Sequence, residues 1–90
     1  MENYVYTIAV NDGSQWVFVD HPDEHEHLMG LIYNLPFYQT NYIAALDDFN
    51  QAVGYLREEK LNYNVAIIRY NNLEALKQNH DGTTIKQLLL

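Results

Sequence analysis

The sequence predicts one α+β domain in the order β-β-α-α-β-α-β, with an N-terminal hairpin and a mixed sheet packed by helices. Three observations carry this expectation. Two apolar stretches flank Asn11-Asp12-Gly13, apolar side chains recur at helical spacing from Tyr42 to Leu56, and Val65-Ala66-Ile67-Ile68 forms a short apolar run. Ninety residues have room for a single core and no second one, so residues 1–90 are read as one acidic domain.

Tyr4 to Val10 alternates as a strand does, Asn11-Asp12-Gly13 supplies turn chemistry, and Gln15 to Val19 resumes a strand. A three-residue loop would set Val10 opposite Ser14, Ile8 opposite Trp16 and Tyr6 opposite Phe18. Both faces of this hairpin are then largely apolar, so helices cover one and a second layer or a partner must cover the other. Pro22, followed by Asp23, Glu24 and Glu26, marks a helix start, because proline fits the first turn and carboxylates favour the positive end of the helix dipole. This helix ends near Leu35, which Pro36 disfavours in helical geometry. Thr40 or Asn41 caps a second helix whose apolar face is Tyr42, Ala45, Leu46, Phe49, Ala52, Val53 and Leu56. Tyr63 to Tyr70 reads as a strand buried on both sides. Asn71 or Asn72 opens a short helix through Leu73, Ala75 and Leu76, and Asp81-Gly82 breaks it. Thr83 to Leu90 is a last strand, in a spacing that allows a right-handed parallel crossover. Gly30 and Gly54, inside helices, are expected to permit close packing.

Charge is the most unusual property of the chain. Eight carboxylates precede residue 57 without one Lys or Arg, all five basic residues lie between Arg57 and Lys86, and the formal charge is −7. Such a balance disfavours direct nucleic-acid binding, since phosphate contacts need cations, and disfavours docking on anionic lipid. An apolar content of 48% with 19% charged residues argues against disorder. There is no cysteine, the N-terminal residues lack a signal-peptide pattern, and no apolar run reaches membrane-spanning length. A cytoplasmic protein is the expectation.

Chemistry-bearing motifs are sparse. His21, His25 and His27 lie among Asp23, Glu24 and Glu26, but His25 and His27 point about 200° apart on a helix and Pro22 displaces His21. The pair His21 and His25 is therefore a weak metal candidate, and no metal or other cofactor is expected. Asp47-Asp48 is expected on the solvated side of the second helix, opposite Leu46, Phe49 and Val53. The single serine, Ser14, has no nucleophile context, and the four glycines form no phosphate loop, so no catalytic residue is assigned and an enzyme is not expected.

What remains is recognition. Carboxylates at Asp23, Glu24, Glu26, Asp47 and Asp48, with Tyr38 and Tyr42 beside them, would suit a basic surface of a partner protein, such as one that binds nucleic acid. In size and charge alone the chain looks like the small acidic phage and mobile-element inhibitors of host defence nucleases, some of which act as nucleic-acid mimics. Two alternatives are a homodimer or other assembly module that buries the apolar hairpin and Leu88-Leu89-Leu90, and a metal- or pH-responsive regulator built on the histidines.

Overall fold

In the computed structural model, residues 3–11, 13, 16–18 and 35–89 are described. The elements are β1 (Val5–Asn11), β2 (Trp16–Phe18), α1 (Tyr42–Glu58), β3 (Asn64–Tyr70), α2 (Leu73–Lys77) and β4 (Thr83–Leu89). They belong to one α+β domain. The expected helix after Pro22 lies outside the described residues, apart from Leu35 at its end.

The sheet has the order β2-β1-β3-β4, and every described pairing is antiparallel. This corrects the mixed sheet with a parallel terminal crossover. A parallel return would have to retrace the length of β3, about 24 Å for seven residues. The five residues of α2 advance only about 8 Å, so the chain turns back at the end where β3 finished. The hairpin register also differs from expectation. Val10 lies opposite Val17 and Ala9 opposite Phe18, a shift of three residues. Asn11 belongs to the strand and not to the turn. Its side-chain Oδ1 accepts the amide hydrogen of Gly13 at 2.7 Å, and Gly13 takes a φ of 101° that suits glycine.

Strand alternation divides the core into two layers. Ile8 and Val10 of β1 and Val65 and Ile67 of β3 face α1, where Ala45, Phe49, Ala52, Val53 and Leu56 meet them. On the opposite face, Val5, Ala9, Ala66, Ile68 and Tyr70 pack with Leu76 of α2, Leu73, Ala75 and Phe37. The second apolar face therefore finds cover within the chain, from α2 and the segment before α1. Burying an Ile8, Leu56 or Ile67 side chain contributes about 2 kcal/mol.

Both helices begin and end by clear local chemistry. Asn41 caps α1, accepting from the amides of Ile43 and Ala44, and Asn72 caps α2, accepting from Ala75. Each C-terminus closes with two reverse hydrogen bonds. Leu61 N donates to Leu56 O and Lys60 N to Arg57 O after α1, while His80 N donates to Ala75 O and Asn79 N to Leu76 O after α2. The left-handed residues that this requires are Lys60 (φ 56°) and Asn79 (φ 51°).

One expectation about glycine is overturned. Gly54 is exposed on α1, and a Cβ there would meet nothing within 4 Å, so it serves no close packing in this chain. Gly82 does. A Cβ there would come within 2.7 Å of the Tyr70 ring, so only glycine lets the chain cross that ring.

Candidate recognition surface

The segment from Leu35 to Asn41 is held at several points. Leu35 enters the core layer under α1, and Phe37 enters the opposite layer, so the chain straddles the edge of β1. The Phe37 carbonyl accepts a hydrogen bond from Thr7 Oγ1 at 2.8 Å. Gln39 and Tyr6 exchange two backbone hydrogen bonds, each 2.8 Å. Asn41 then starts α1. Three large side chains emerge at the surface from this segment and from the first turn of α1.

These are Tyr38, Tyr42 and Ile43, with 36%, 38% and 65% of their area exposed. The Tyr38 ring meets Phe37 edge-on with centroids 6.0 Å apart, and Tyr42 leans on Tyr6 at 5.7 Å. Each tyrosine thus has one side supported and the other in solvent, which limits the rotamer freedom lost on contact with a partner. Tyr38 also borders a cleft of about 350 Å³ with Asn3, Tyr4, Val5, Thr40, Asn72 and Leu73. Its lining combines amide and hydroxyl groups with aromatic and aliphatic walls, a mixture suited to a side chain that carries its own polar tip.

The structure separates the two adjacent acids of α1. Asp47 is exposed and keeps its place at the surface. Asp48 is only 7% exposed, contrary to the expected solvated position. Its Oδ2 accepts a hydrogen bond from Gln39 Nε2 at 3.0 Å. Burial raises the Asp48 pKa above the ordinary carboxylate value; the Gln39 hydrogen bond opposes that shift, and the neighbouring Asp47 charge adds to it. Asp48 is therefore a structural tie between α1 and the tethered segment, and it is withdrawn from the recognition set. Helical periodicity alone could not show this, because its partner arrives from outside the helix.

Of the expected recognition residues, Tyr38 lies in the segment before α1, Tyr42 opens that helix and Asp47 follows five residues later; all three are exposed. Asp23, Glu24, Glu26, His21 and His25 lie outside the described residues. Among the described residues no group of three His, Asp or Glu side chains could hold a metal ion. Ile43 was missed by sequence reasoning, since it sits beside the helical core stripe and apolar character alone did not set it apart. Its solvent exposure identifies it.

The basic residues do not neutralise this corner through ion pairs. Among the described residues, no Lys or Arg forms an ion pair, and the one described pair joins His80 to Asp81 at 3.0 Å. Arg69 instead stacks 4.2 Å over the Tyr4 ring, and Lys86 lies 5.5 Å from the Phe49 ring centre. No described helix is long and apolar enough to cross a membrane. Neither a protein-family model, nor a curated protein, nor a solved structure matches this chain.

Proposed function

We propose that this protein is a non-catalytic binding protein that occupies a basic surface of a partner protein through the corner formed by Tyr38, Tyr42, Ile43 and Asp47. The observation that carries the reading is the exposure of three large apolar or aromatic side chains, Tyr38 on the tethered segment and Tyr42 and Ile43 in the first turn of α1, with Asp47 further along the helix pairing with no cation among the described residues. Supported aromatics supply the buried centre of such an interface, and carboxylates set its orientation and speed the encounter with a cationic surface. A partner whose basic surface normally holds nucleic acid fits the charge of −7, and the protein would then act as an inhibitor by occupancy.

Affinity capture from host lysate, with competing DNA or RNA added, tests this. The expected result is a captured basic protein that nucleic acid displaces and that Tyr42→Ala or Asp47→Lys releases. Capture indifferent to both the competitor and the substitutions would refute it.

The homo-oligomeric alternative draws less support. Val5, Thr7, Ile8, Ala9 and Val10 are buried within the single chain, and Leu88 packs partly against the α1 layer. A sedimenting monomer is the expected outcome at micromolar concentration; a stable dimer would favour the assembly reading.

A further inference from the structure

At the other end of α1, a second surface has different chemistry. β4 is the last strand in the sheet order, and its outer edge has no strand beside it among the described residues. Its residues from Thr83 to Gln87 are exposed, apart from half-buried Ile85. Between this strand and α1 lies a cleft of about 280 Å³, floored by Phe49, Val53 and Leu88 and flanked by Arg57 and Lys86. Two of the five basic residues of the chain thus converge beside an open strand edge. Neither has a carboxylate partner among the described residues.

An open edge offers unpaired backbone N–H and C=O groups to any extended chain, so what prevents or selects pairing must lie in its side chains. The middle residue of Thr83–Leu89 is Lys86. If two copies paired their β4 strands antiparallel over the full length, twofold symmetry would set Lys86 against Lys86, with Cβ atoms about 5 Å apart. Like charges so placed repel. The unpaired residue Ile85, opposite the step between Ile67 and Ile68, adds a bulge that further disfavours pairing between flat edges. The same Lys86 would attract a strand that carries a carboxylate opposite it. Lys86 is paired in register with Ile67, and Leu88 with Val65, so both lie on the side of the sheet that α1 covers. A carboxylate on that side of an added strand would face Lys86 and Arg57 together.

We propose that the outer edge of β4 is a docking site for an extended acidic segment of a partner protein, which adds as a further strand and places a carboxylate between Lys86 and Arg57. The net negative charge of the whole chain opposes the encounter only at long range. Physiological salt screens that opposition beyond about 8 Å.

Nuclear magnetic resonance titration of the whole protein tests this with three probes: a short capped peptide alternating valine and threonine around a central glutamate, the same peptide with central lysine, and capped glutamate alone. The glutamate peptide is expected to shift and slow the exchange of the β4 amides. Lys86→Glu should weaken that peptide at least tenfold and make the lysine peptide the tighter ligand. This charge swap distinguishes lost pairing from a misfolded variant. Equal binding of the two peptides to the native protein, shifts centred on Tyr38 and Tyr42, or capped glutamate binding as well as the peptide would each overturn the proposal. Failure here leaves the aromatic corner, a separate surface, untouched.

Discussion

Asp48 and Gly54 lie on one helix, and the chain around each gives it a different task. Asp48 loses water when the segment carrying Gln39 closes over it, and its raised pKa means that the folded state holds the proton more tightly than the unfolded chain does. The sign follows from linkage: the folded state is favoured with Asp48 protonated, and that advantage is lost as pH rises from the ordinary carboxylate value through the raised one. Asp48→Asn removes this dependence. The difference in melting temperature between variant and native protein should therefore move in favour of the variant from pH 4 to pH 7. An unchanged difference would mean that Asp48 is not desolvated. Gly54 has no neighbour to spare, so Gly54→Ala is expected to stabilise by about 0.5–1 kcal/mol through reduced backbone entropy of the unfolded chain. Denaturant midpoints measure it. Neither role was legible in the sequence. A carboxylate on a helix reads as solvated until another segment covers it, and a helical glycine reads as a packing site until its surroundings are seen to be empty.

At the scale of elements, the turn after α2 couples that helix to the sheet. Tyr70, buried in the second core layer, donates from its hydroxyl to Asn79 Oδ1 at 2.6 Å, and Asn79 is the left-handed residue that ends α2. Gly82 then crosses the Tyr70 ring to begin β4. Tyr70→Phe should cost about 1 kcal/mol, since one hydrogen bond is lost while the ring packing stays. Gly82→Ala should cost more, because the added Cβ meets a ring held in the core. Thermal unfolding of the two variants checks the order, and equal effects would show that the crossing is not tight. Capping residues and core faces were readable beforehand. The sequence narrows the caps to Thr40 or Asn41 and to Asn71 or Asn72, of which the structure uses Asn41 and Asn72, and Ala45, Phe49, Ala52, Val53 and Leu56 follow from helical period. The hairpin register was not, because Asn11 can serve a strand and a turn at once, and only its hydrogen bond to Gly13 decides where the loop begins.

Over the whole molecule, the two-layer core makes cooperative unfolding the expectation, since β1 and β3 contribute side chains to both layers. Leu56→Ala opens a cavity in a fully buried site and should cost about 2–5 kcal/mol. Loss of near-ultraviolet and far-ultraviolet dichroism at one midpoint is expected for that variant as for the native protein. Separate midpoints would show that the layers unfold independently. The same architecture separates the two proposed surfaces. The first turn of α1 exposes Tyr42 and Ile43, whereas Arg57 near its end and Lys86 of β4 flank the other cleft.

The sequence by itself determined the α+β class, the described helices with two candidates for each cap, the doubly buried central strand and the net acidity. These follow from local periodicity, capping chemistry and a count of charges, and none requires knowing which segments meet. Tertiary structure decided the antiparallel course of β4, the burial of Asp48, the exposure of Ile43 and the meeting of Arg57 with Lys86 across a cleft. Each depends on contacts between residues distant in the chain. There, solvent access and the identity of a neighbour are set by how the layers close, and no local pattern records them.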